Sequence, residues 1–156
     1  WLGKTYARLL ANLETETLIA PNNDPGSKGI FKVLDQIQGR RFRIIPSMRF
    51  NYFSQLMKNA SLIIGNSSTG VREAPFLGIP SIDIGTRQTN RAFSESIIHC
   101  SSSDKEIILE SLSSNFWGRK FKSVNRFGEG KSASMFLEIL STKKFWSHSQ
   151  QKSFSN

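Results

Sequence analysis

The chain has 156 residues, with 21 Lys and Arg against 12 Asp and Glu, a net charge of +9, and 38% hydrophobic residues. That length suits one packed core and falls short of two full domains. The apolar content is too high for a disordered chain, and no apolar run approaches the roughly 20 residues of a membrane helix. One cysteine, Cys100, excludes an internal disulfide and a cysteine-built zinc site. His99 and His148 lie too far apart for a helical metal-binding pair, so neither metal nor cofactor is expected.

The chain opens without Met, and Trp1-Leu2 reads as mid-helix, so a truncated chain or a fragment is expected. Residues 1–20 lack a basic start followed by an apolar core, which predicts a cytoplasmic protein. Leu2, Tyr6, Leu9, Leu10 and Leu13 recur at helical spacing, and Thr15 to Pro21 reads as a short buried strand. Asn22 to Gly26 is turn chemistry, and Ser27 can cap a helix with Ile30, Val33, Leu34 and Ile37 inward, stopped by Gly39. Arg43 to Ile45 is a second strand, closed by Pro46-Ser47. Asn51 can cap a helix with Phe53, Leu56 and Met57 inward. Ser61 to Gly65 is a third strand; Asn66 to Gly70 then turns into a helix over Val71 to Leu77, broken by Gly78-Ile79-Pro80. Ser81 to Gly85 is a fourth strand and Ser96 to His99 a fifth. Helices follow at Lys105 to Leu112 and Ser132 to Leu140, and the polar tail from Thr142 is expected to fray.

Strands begin about every 20 residues with helical patterns between, which predicts an α/β, Rossmann-like parallel sheet with flanking helices. The strands are short continuous apolar runs, as sheets covered on both faces require.

Ligands of open parallel sheets bind at the carboxyl ends of strands, and three loops there carry polar chemistry. In Asn66 to Glu73, backbone amides with the Ser67 and Ser68 hydroxyls suit a phosphate, and Gly70 would allow close approach. Glu73, one turn in, can accept from paired sugar hydroxyls. A plain helix cap at Ser68 with a solvated Glu73 fits the same residues. In Gly85 to Arg91, Arg87 and Arg91 offer forked donors to a diphosphate, or are two surface arginines. In Pro46 to Phe50, backbone groups can read a nucleobase edge, or form an ordinary strand-to-helix turn. His99 and Cys100 are adjacent on a strand and point to opposite faces, which favours a buried structural cysteine over a nucleophile pair. Arg119, Lys120, Lys122 and Arg126 with Phe116, Trp117 and Phe121 read as a solvated connector or as a nucleic-acid patch.

Ile63 to Pro75, Gly78-Ile79-Pro80 and Ile84 to Arg91, taken together, closely resemble the UDP-N-acetylglucosamine 2-epimerase family. The Asn66-Ser67-Ser68-Thr69-Gly70 and Arg72-Glu73 stretches resemble the hydrolysing branch, which feeds sialic acid and related nonulosonate synthesis. The non-hydrolysing branch typically has Asp-Ser-Gly-Gly and a Glu-Glu pair here. Ala20 to Lys28 and Phe127 to Gly130 are also similar, so the resemblance spans most of residues 1–141.

The resemblance implies the C-terminal, UDP-binding half of a glycosyltransferase-B-like two-domain enzyme: residues 1–141 as the nucleotide domain, 142–156 as a polar tail. By motif match, Ser67 and Ser68 hold the diphosphate and Glu73 the ribose hydroxyls. Arg87 lines the site, the Met48 region takes the uracil through its backbone, and Asn22 lies near the nucleotide. Asn90 departs from the family's usual Gly, and Asn tolerates a left-handed backbone better than most residues. The family's acids and bases come mainly from an N-terminal domain, with a histidine upstream of Trp1, so no catalytic residue is assigned here.

The implied reaction eliminates UDP from UDP-N-acetylglucosamine and adds water to the glycal, giving N-acetylmannosamine; this chain alone is expected to be inactive. A non-hydrolysing epimerase, another UDP-sugar enzyme, and a basic nucleic-acid-binding module are the alternatives. The leading reading expects a UDP-sugar partner, neither nucleic acid nor membrane, and is compatible with a homo-oligomer.

Overall fold

A computed structural model describes residues 16–21, 25–37, 42–101, 103–113 and 115–147. The expected helix over residues 1–13, Asn22 and Gly39 lie outside the described residues. The chain divides into two compact units, Trp1–Val124 and Asn125–Asn156.

In the first unit, β1 (Glu16–Ile19) and β2 (Phe42–Ile45) pair in parallel, with Leu18 opposite Ile44. Register partners share a face of the sheet, and that face takes Ile30 and Leu34 from α1 (Ser27–Ile37), with Ala20 completing the cluster. The 3.6-residue period of the α1 apolar positions is what allows Ile30 and Leu34 to point the same way.

The second ladder is β3 (Ile63–Gly65), β4 (Ser81–Ile84) and β5 (Ile97–Cys100), all parallel, in that order. β4 is central and buried at all four residues. Its period of two sorts the core. Ile82 and Ile84 join Cys100 and Ile108, the last from α4 (Lys105–Ser113). Ser81 and Asp83 face the other way, where Ser81 Oγ donates to the Gly70 carbonyl.

In chain order the two ladders are separated by α2 (Phe50–Lys58), which starts one residue before the expected cap, Asn51. Arg49 occupies the cap position and supplies no side-chain cap bond. Phe53 and Met57 of α2 pack with Ala60 and Ile63 against Ala74, Leu77 and Ile79.

The expected helix over Val71 to Leu77 is instead a single 3-10 turn, Ser68–Gly70, followed by the short α3, Glu73–Phe76. Pro75 gives the reason. A helix starting at Val71 would place it fifth, where its missing N–H and its ring break the ladder; starting at Glu73 places it third, within the tolerant first turn. Gly78 closes the segment at φ +67, and a Cβ there would run into the Phe121 carbonyl oxygen.

That contact belongs to a strap. Gly118 N–H donates to Ser61 O at 2.8 Å, Phe121 N–H to Gly78 O at 2.9 Å, and Val124 N–H to Pro75 O at 3.0 Å. The basic and aromatic stretch thus runs along the β3 and α3 turns. Phe116 packs on the β4 core, the Phe121 ring lies tilted at 57° with its centroid 5.5 Å from that of Phe116, and the Arg119 guanidinium lies 4.9 Å over Phe121.

The second unit contains α5 (Ser132–Ser141) and, where fraying was expected, a further short helix α6 (Lys143–Trp146). Thr142 is extended between them, and its hydroxyl accepts from Phe145 N–H. Trp146 Nε1–H donates to Leu140 O at 2.7 Å, tying the added turn back to α5. No helix among the described residues is long and apolar enough to cross a membrane.

Candidate functional site

The parallel ladder puts the residues after β3, β4 and β5 on one edge. Ser67 and Ser68 follow β3 after Asn66. Ser67, not Ser68, caps the 3-10 turn: its Oγ accepts from Thr69 N–H at 3.3 Å. That long bond uses one lone pair and leaves the hydroxyl hydrogen for a donor role. Ser68 is half-buried. Gly70 is buried, and its place for a Cβ faces Ser81 at 3.6 Å, so this glycine sits against β4 and does not open the backbone to a ligand as expected.

Glu73 is the first residue of α3, where a carboxylate is favoured by the helix dipole. It is half-buried, and its Oε2 is buried with no hydrogen-bond partner among the described residues. A desolvated carboxylate oxygen with no donor is costly, and hydroxyls of a ligand are the kind of donor that would satisfy it.

The loop after β4 begins at Gly85, at φ +98, and makes two successive turns: Thr89 N–H to Thr86 O and Arg91 N–H to Gln88 O. Asn90 sits in the second turn at φ 62, the one described non-glycine residue with positive φ, in the left-handed region that Asn tolerates better than most residues. Arg87 is exposed on this loop. Gln88 is 1% exposed; its Nε2 donates to Asn66 O at 2.9 Å and its Oε1 accepts from Arg91 Nη1 at 3.2 Å. The arginine loop is thereby fastened to the serine loop.

Met48 is half-buried in the turn between β2 and α2. The helix that follows, α2, packs through Met57 in one cluster with Ile63 of β3.

Sequence reasoning missed Gln88 and the pair Asp83 with His99. Asp83 and His99 are register partners on β4 and β5, and His99 Nδ1 lies 2.9 Å from Asp83 Oδ2. His99 Nε2 lies 3.1 Å from Ala92 O. The two residues stand sixteen positions apart, which hides this pairing until the two strands are placed in register. Cys100 faces the opposite way and is buried; burial, then the charges of Asp104 and Asp83, push its thiol pKa from 9.0 up to about 11. It is a structural thiol. Among the described residues no group of three His, Cys, Asp or Glu side chains could hold a metal ion.

Residues 3–141 match the sequence model of the UDP-N-acetylglucosamine 2-epimerase family. The chain belongs to this family. It is 41% identical over 139 residues to the UDP-N-acetylglucosamine 2-epimerase of Neisseria meningitidis serogroup B, covering 87% of this chain and 37% of that protein. It is 30% identical over 137 residues to the UDP-N,N'-diacetylbacillosamine 2-epimerase (hydrolyzing) of Legionella pneumophila, covering 87% of this chain and 36% of that protein. The chain therefore spans little more than a third of the length of these relatives. In fold it is similar to the crystal structure of UDP-GlcNAc 2-epimerase from Neisseria meningitidis bound to UDP-GlcNAc: TM-score 0.61 at 20% identity, over 89% of this chain and 40% of that one. The α/β, Rossmann-like class expected from the strand spacing is the fold of this family.

Proposed function

We propose that this chain is the UDP-binding half of a hydrolysing UDP-N-acetylglucosamine 2-epimerase, with residues 1–141 as the nucleotide domain. The observation that carries the proposal is the partnerless Glu73 Oε2, set one helical turn beyond the Ser67 and Ser68 hydroxyls at the carboxyl edge of the parallel sheet. In this reading the Ser67 and Ser68 hydroxyls and nearby amides bind the diphosphate. Glu73 takes the ribose hydroxyls, and Arg87 neutralises phosphate charge. The backbone around Met48 reads the uracil, with Asn22 close by. Bidentate carboxylate-to-diol pairing and charge-assisted bonds to phosphate are the strong members of such a set. Ser-Ser-Thr-Gly followed by Arg72-Glu73 favours the hydrolysing branch, and the hydrolysing Legionella relative supports it.

The whole enzyme would eliminate UDP from UDP-N-acetylglucosamine and add water to the resulting glycal. Removing the C2 proton needs a positioned base, and this reading assigns that base to the portion of the relatives that the chain does not span. The chain alone therefore releases no UDP, and it works as a soluble cytoplasmic protein. Product analysis tests the chemistry: the chain joined to the N-terminal portion of its own protein yields free N-acetylmannosamine. UDP-N-acetylmannosamine as the product would move it to the non-hydrolysing branch. UDP release by the purified 156-residue chain would overturn the placement of the base.

A further inference from the structure

We propose that Asp83 and His99 form a one-proton latch that positions the arginine loop, residues 86–92, through the carbonyl of Ala92. The effect on nucleotide binding described below rests on the function proposed above; the latch itself does not.

The reasoning is a proton count. Ala92 O has only lone pairs, so His99 Nε2, 3.1 Å away, must carry a hydrogen for that contact to hold. His99 Nδ1 and Asp83 Oδ2, 2.9 Å apart, also need a hydrogen between them. Two arrangements satisfy both contacts: an imidazolium beside a carboxylate, or a neutral imidazole beside a protonated Asp83. Both hold one proton more than a neutral imidazole beside a carboxylate. When that proton leaves, one hydrogen remains for two contacts. The buried carboxylate keeps it, because a bond to a charged acceptor is the stronger. Nε2 then presents a lone pair to Ala92 O, and the link to the loop is lost.

The surroundings make the latch consequential. Asp83 is 2% exposed and its Oδ1 has no partner among the described residues, so within them the carboxylate depends on His99. Ala92 is buried with Val71 and Ile97, at the root of the loop that carries Arg87, Gln88 and Arg91. The Phe93 ring meets the His99 ring edge-on at 6.0 Å. The charged groups on the neighbouring elements are Arg72 and Glu73 beside the 3-10 turn, Arg87, Arg91 and Glu95 on the loop, and Asp104 before α4. Of these, Asp104 acts together with Asp83 on Cys100.

Asp83→Asn separates a latch from a merely structural pair. The Asn amide can donate to a bare Nδ1 while Nε2–H still donates to Ala92 O, so both bonds survive without the extra proton. His99→Phe removes the latch. The measurement is amide-exchange protection of residues 86–92 in the 156-residue chain at about pH 6 and about pH 9, with affinity for UDP-N-acetylglucosamine, whose diphosphate diester keeps its charge over that range. Protection of the wild-type loop should fall about three- to tenfold on raising the pH; Asp83→Asn should hold it at both pH values, and His99→Phe should lack it at both. Affinity should follow the same pattern. Equal wild-type protection at both pH values, or the same pH dependence in Asp83→Asn, would overturn the latch. Protection that changes as expected without any binding of the nucleotide sugar supports the latch and counts against the nucleotide reading of the loop.

Discussion

The buried side-chain amide of Gln88 donates to the main-chain carbonyl of Asn66 at 2.9 Å, joining two loops 22 residues apart in sequence. Its other atom, Oε1, accepts from Arg91, so one buried residue sets both the spacing of the loops and the direction of a guanidinium. Replacing Gln88 by Leu leaves the Asn66 carbonyl without that donor and releases Arg91. We expect a loss of about 1–3 kcal/mol in stability by denaturant unfolding. UDP affinity should fall as well, because both loops flank the proposed phosphate site.

Gly78 meets two demands, a φ of +67 and close approach of the strap at Phe121. Gly78→Ala strains the backbone and pushes the Phe121 carbonyl away. The expected cost is about 1–3 kcal/mol, read as a lowered Tm. Amide-exchange protection should be lost first at Gly118, Phe121 and Val124.

Asn90 holds φ 62 in the turn that aims the arginine loop. Asn90→Gly should leave stability and UDP binding near wild type. Asn90→Val should cost about 1–2 kcal/mol, because a β-branched side chain resists the left-handed conformation. Thermal denaturation of the two variants checks this directly.

Cys100 should resist alkylation in the folded chain at neutral pH and react once the chain is unfolded in denaturant. Its pKa is raised from 9.0 to about 11 in the folded state, so folding favours the thiol. The resulting stabilisation is complete below about pH 9 and lost as pH rises through about 11. Cys100→Ala should remove that alkaline component of the unfolding profile.

Much of the fold was legible because period and punctuation agree. Ile30 and Leu34 marked the inner face of α1, and Ile82 and Ile84 marked the buried strand beside Ser81 and Asp83. The loops of the candidate site could be located too, since Gly65 and Gly85 end apolar runs and Ser67 follows the first of them. Pro75 was present in the sequence and outranked the apolar pattern that suggested a longer helix, which is a matter of one missing N–H. The extra helix at Lys143–Trp146 went unread because its hold on α5 is a tryptophan-to-carbonyl bond that no periodicity reports. Asp83 with His99, and Gln88 with Asn66, depend on strand register and loop closure, and these arise only when distant segments meet.

The most direct measurement is calorimetric titration of UDP into the 156-residue chain, repeated with Ser68→Ala and Glu73→Ala. Binding that is measurable in the wild type and weakened in both variants, each still folded by circular dichroism, is the predicted result. Binding that is unchanged by Glu73→Ala would contradict it, because the partnerless Oε2 would then have no part in holding the nucleotide.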